Sequence, residues 1–129
     1  MIVIDFLQEE TFGEPGPNLV WRGYPGDFLN FAIDIHAMIC TGKSLRIENS
    51  ESFILNGIKD ISLIIVNDSQ SLVKIEKNSV VTALSKRHWE EVFHLILTIT
   101  FGPGHNYIEF DDIDLIEDAN WIIDSIEPS

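Results

Sequence analysis

The 129 residues carry 21 acidic against 8 basic side chains, a formal net charge of -13, with hydrophobic residues at 45% and charged residues at 22%. That balance suits one compact domain with its own core and excludes a disordered acidic tail. The longest apolar run, residues 61–66 broken only by Ser62, is far short of the roughly 20 residues a membrane helix needs. The single cysteine, Cys40, excludes an internal disulfide. The opening MIVIDFLQEE has no basic n-region, so the expected compartment is the cytoplasm.

Ile, Val and Thr supply 32 of the residues and Ala only four, which favours sheet over helix. In chain order, MIVIDFL reads as a first strand, the Pro/Gly-rich EETFGEPGPN as a loop, and NLVWR as a second strand ended by Gly23, Pro25 and Gly26. From Leu29 to Cys40, apolar Leu29, Phe31, Ile33, Ile35, Ala37 and Ile39 alternate with their neighbours, predicting a strand. The competing pattern is a helix from an Asp27 cap, with Phe28, Phe31, Ala32, Ile35 and Ile39 as its stripe. Short strands follow at 44–48, 52–55, 61–66, 72–76 and 79–84, separated by turn formers. Among these, Asn56 and Gly57 carry the chemistry of a type I′ hairpin turn. SKRHWEEV predicts one helical turn, and the alternation of Phe93, Leu95, Leu97, Ile99 and Phe101 predicts a strand. GPGH then predicts a reversal into NYIEF, making 93–110 a hairpin. NWIIDSI is the last apolar element, and no repeat is visible. The expected fold is a mainly β single domain over 1–129, an antiparallel sandwich or partly open barrel with at most one or two short helices.

Charge is unevenly placed. Residues 1–42 sum to -5, residues 43–87 to +2, and residues 88–129 hold ten acids with no Lys or Arg. Such a field repels nucleic-acid phosphates and anionic lipid, and attracts a basic partner. Within the acidic third, Glu109, Asp111, Asp112, Asp114, Glu117 and Asp118 lie close together and form the candidate partner-binding set. On a strand, Glu109 and Asp111 share one face and Ile108, Phe110 and Asp112 the other. The EF-hand spacing of glycine and distal glutamate is absent, though an irregular calcium site in a β-sandwich stays an alternative. Trp21, Arg22 and Tyr24, in a loop-prone stretch, are weaker contact candidates.

Other chemistries lack a pattern. The histidines His36, His88, His94 and His105 do not have zinc-ligand spacing. No GxSxG elbow or phosphate-cradling glycine loop occurs, and Cys40 reads as a small buried residue, so no catalytic residue, metal or cofactor is expected. Core packing is the expected role of Trp121, while Trp21 and Trp89 leave open a sugar-stacking surface. A short, acidic, Ile-rich single domain of this kind resembles the immunity proteins of bacterial toxin systems in its overall character. The resemblance implies a non-enzymatic antitoxin that covers a basic toxin, and it transfers no residue role. The alternative is a carbohydrate- or calcium-binding β-sandwich module. A homodimer through an edge strand is left open.

Overall fold

The computed structural model describes residues 1–99, 104–110, 112–113 and 115–126. The chain opens as a hairpin, β1 (Ile2–Leu7) and β2 (Asn18–Gly23), running directly into a helix, α1 (Pro25–Thr41). Short strands β3 (Leu45–Glu48), β4 (Phe53–Asn56) and β5 (Asp60–Ile65) follow, then a 3-10 turn at Asp68–Gln70. A second hairpin, β6 (Leu72–Glu76) and β7 (Ser79–Leu84), leads into a second helix, α2 (Lys86–Ile99). The chain continues as β8 (Gly104–Tyr107), β9 (Ile116–Glu117) and β10 (Asn120–Ser125).

Strands form the larger share of this structure, but the architecture is a mixed α/β one. The strands build two five-stranded sheets, ordered β4-β1-β2-β10-β8 and β3-β5-β7-β6-β9, and no closed barrel is present among the described residues. Each sheet is mixed. In the first, β1 pairs β2 and β10 pairs β8 antiparallel, while β1 with β4 and β2 with β10 run parallel. The second sheet repeats this alternation. The expected mainly antiparallel sandwich or partly open barrel is corrected in this respect: four of the eight strand pairings are parallel, each joining strands that are not consecutive in the chain.

The crossings follow a rule. Replacing β1, β2, β3, β4 and β5 by β6, β7, β8, β9 and β10, and the reverse, converts the order of one sheet into that of the other. Each half of the chain is thus a hairpin, a helix and three strands, of which the third and fifth are handed to the sheet of the other half. The helices correspond as well. With Pro25 set against Lys86, the buried Phe28, Phe31, Ile35 and Met38 of α1 fall on the buried Trp89, Val92, Ile96 and Ile99 of α2. A repeat that is invisible in the sequence is present in the topology.

The two helices overturn two expected strands. In residues 27–41, burial follows Phe28, Phe31, Ala32, Ile35 and Met38, a helical spacing, and leaves Leu29 and Ile33 exposed. Pro25 in the first turn, the Asp27 carboxylate accepting the Tyr24 N–H at 3.0 Å, and Gly42 at φ 73 closing the end delimit this helix. In residues 93–99, burial follows the helical stripe of His88, Trp89, Val92, Ile96 and Ile99, and the alternating Phe93, Leu95 and Leu97 are only partly buried. The proposed hairpin over 93–110 does not form: β8 pairs with β10 instead. Phe101 lies outside the described residues. The strands at 2–7, 18–23, 45–48, 53–56, 60–65, 72–76 and 79–84 match the expected ones closely, and the last apolar element forms β10 at 120–125.

The Asn56–Gly57 turn is also corrected. It does not join β4 to β5 as a hairpin, since β4 lies parallel to β1 in the first sheet and β5 lies in the second. Gly57 sits at φ 85, and a Cβ there would stand 3.3 Å from the Cβ of Phe6, so glycine is needed for a crossover that brushes β1.

Both sheets and both helices close on one core. Trp21 and Trp89, with Phe28, Phe31, Ile4 and Leu63, are all essentially fully buried in it. Each large side chain buried this way contributes about 1.5–3 kcal/mol relative to exposure. Trp121 bridges the halves, its ring 5.2 Å from Trp21 and 6.2 Å from Trp89. No helix among the described residues is long and apolar enough to cross a membrane.

Candidate functional site

The C-terminal acids divide into two groups with opposite surroundings. Asp112 is internally neutralised. Its Oδ2 accepts from Arg87 at 2.5 Å, and its Oδ1 lies 2.9 Å from Nε2 of His88, a ring with no exposed surface. The other ring nitrogen, Nδ1, is 2.7 Å from Ser85 Oγ. Ser85 in turn accepts the His88 N–H at 3.2 Å, which makes it the cap of α2. Arg87 also bridges to Asp68 at 3.2 Å. The hydrogen bond from His88, and then that from Arg87, hold the Asp112 carboxyl down at about 2. Asp68 is likewise lowered, first by the Ser85 hydroxyl and then by Arg87. The order Ser85, His88, Asp112 resembles a hydrolytic triad, but the serine is engaged in capping and the imidazole is buried, so the chain of bonds acts as a clamp. It ties the segment after β8 to the start of α2.

Asp118 is used internally too, its carboxylate accepting the Ile75 N–H at 2.9 Å beside the β6–β9 pairing. Asp112 and Asp118 thus already have protein partners, Arg87 and His88 for the first and the Ile75 N–H for the second, while both residues stay exposed. Asp111 and Asp114 lie outside the described residues.

Glu109 and Glu117 are exposed and make no ion pair with any described residue. The expected alternation holds around them, with Ile108 buried and Glu109 turned outward. A third carboxylate joins them from the other end of the sequence. The loop at residues 8–17 folds against β8, where Phe12 stacks on His105 at 4.6 Å and the Tyr107 hydroxyl donates to the Phe12 carbonyl. This docking places Glu14 in one small recess of about 40 Å³ with Tyr107, Glu109, Glu117 and Trp121. Partial enclosure, then repulsion from Glu109 and Glu14, push the Glu117 carboxyl up to about 6. The Tyr107 hydroxyl is raised for the same reasons. The three carboxylates do not converge as a metal-holding group, and no such group occurs among the described residues.

The weaker candidates separate. Trp21 is 1% exposed and is corrected to a core residue, because both its neighbouring strands and α1 cover it. Arg22 lies on the outer face of the first sheet with its guanidinium between Asp124 at 2.9 Å and Asp5 at 3.5 Å. Tyr24 is exposed at the start of α1. With Trp89 and Trp121 also in the core, the tryptophans provide no sugar-stacking surface. Cys40 is corrected as well: it is an exposed free thiol at the end of α1, with Sγ 3.8 Å from His36.

Glu14 was missed by sequence reasoning because it stands 95 positions from Glu109, and only its place in an acidic, turn-rich loop marked it. Comparison with family models, with curated proteins and with solved structures finds no match to the chain.

Proposed function

We propose that this chain is a non-enzymatic binding protein of the cytoplasm that covers a basic protein partner, in the manner of an immunity protein against a toxin. The observation that carries the reading is the meeting of Glu14, Glu109 and Glu117 around Tyr107 with no ion pair to any of them among the described residues. Like charges held this close raise the free energy of the isolated protein, and a positive surface relieves the repulsion on contact. The net charge of -13 adds long-range attraction for such a partner. Its general likeness to small acidic immunity proteins points the same way. Docking then works by occlusion: the acidic face seats on the basic cleft that the partner uses for its own anionic substrate.

The test is kinetic, against a basic protein that co-purifies with this chain from its native host. The double variant Glu109→Lys/Glu117→Lys should associate much more slowly at low salt while its circular dichroism stays unchanged. An affinity indifferent both to salt and to this reversal would overturn the reading.

A further inference from the structure

The acidic recess is not an isolated dimple. A second recess, of about 280 Å³, lies against α2 and shares Tyr107, Ile108 and Glu109 with the first. It adds Glu91, an exposed residue of α2 that, like Glu14, Glu109 and Glu117, has no ion pair among the described residues. The two recesses adjoin at residues 107–109 as an interrupted groove, with Glu14 and Glu117 at one end, Glu91 at the other and Glu109 shared between them.

A second observation, independent of charge, points to a ligand. Trp121 lines the first recess, is 5% exposed, and its indole N–H has no hydrogen-bond partner. A buried donor left unpaired costs on the order of 1–3 kcal/mol, a loss that an incoming acceptor or its bound water removes. The site therefore offers several acceptors, one idle donor and an aromatic wall. A bare metal ion would use the acceptors alone, and the carboxylates are not gathered tightly enough for one. A peptide bearing lysine or arginine uses all of these features: the cationic head meets the carboxylates, the methylene stem lies along Tyr107, and the peptide group brings the missing acceptor.

We propose that this groove receives an extended lysine- or arginine-bearing segment of the partner, with one basic side chain entering the recess of Glu14, Glu109 and Glu117 and the chain continuing toward Glu91. This rests on the proposed binding of a basic protein and names where that partner grips.

The experiment is a titration of the isotopically labelled protein with hexalysine at low salt, followed through backbone amides and indole N–H signals, with Trp121→Phe used only to assign its indole resonance. The expected result is shifts confined to residues 107–110, Glu14, Glu91 and the Trp121 indole. The variant Glu109→Gln/Glu117→Gln should weaken binding by about tenfold or more. Shifts centred on another face, or unchanged binding by the variant, would overturn the groove while leaving the broader reading in place. No salt-dependent binding of hexalysine anywhere would overturn both. Calcium chloride forms the control arm: if it shifts the same signals at lower concentration than hexalysine, the groove is a metal site and the peptide proposal fails.

Discussion

Asp112 and Glu117 are separated by four residues, and the fold treats them in opposite ways. Asp112 meets a guanidinium and a buried imidazole, which hold its carboxyl at about 2. Glu117 is partly enclosed and also meets two other carboxylates, and its own is pushed up to about 6. The first arrangement stabilises the protein, whereas the second opposes it and has no evident structural purpose. The contrast teaches that an acidic stretch is not one feature: its members can be sorted into clamp and contact only by what the rest of the chain brings beside them.

That contrast can be broken most forcefully at His88. Replacing it with Ala empties a fully enclosed position and removes the partner of both Ser85 and Asp112, so urea unfolding should show a loss of about 2–4 kcal/mol. Unchanged stability would mean that the clamp does not hold the acidic segment. Next, the Glu109→Lys/Glu117→Lys protein should associate with a basic partner about tenfold more slowly at low salt, the difference shrinking as salt rises. Stopped-flow mixing measures this, and the variant should unfold no more easily than the wild type.

Acid titration separates the two carboxylates without a partner. The contribution of Asp112 is fully present above its ordinary value of 3.8 and disappears as pH falls through about 2, so Asp112→Asn should be the less stable protein at pH 5 and lose its disadvantage by pH 2. Glu117 has the opposite sign. Its charge opposes folding above about pH 6, and the penalty fades as pH falls toward its ordinary value of 4.5. Glu117→Gln should therefore stabilise at pH 7 by on the order of 0.5 kcal/mol, the value being reduced by solvent screening, and by nothing near pH 4.5. Thermal melts across that range check both the size and the direction.

Most strands were legible because each is a short apolar run between turn residues, as in NLVWR before Gly23 and LVKIE before Lys77 and Asn78. The helices were legible only in part, α1 as the competing pattern from Asp27 and α2 as one turn at SKRHWEEV, because Phe93, Leu95, Leu97 and Ile99 satisfy a period of two while Trp89, Val92, Ile96 and Ile99 satisfy 3.6. The residue types are β-formers, and packing between α1 and α2 decided the matter against propensity. The repeat left no trace in residue identity: Phe28 and Trp89, or Met38 and Ile99, share only their depth in the core. At the site, the alternation of Ile108 and Glu109 was readable. The approach of Glu14, and the capture of Asp112 by Arg87 and His88, depend on contacts between distant segments that no local pattern encodes.

The exchange of strands between the halves bears on how the molecule comes into being. Each sheet needs two strands from the opposite end of the chain, so neither half can complete its hydrogen bonding during synthesis until the other has emerged. A cut in the exposed stretch at Asp68–Gln70 would yield two fragments that remain unstructured apart and regain the native fold on mixing, a natural basis for a split reporter.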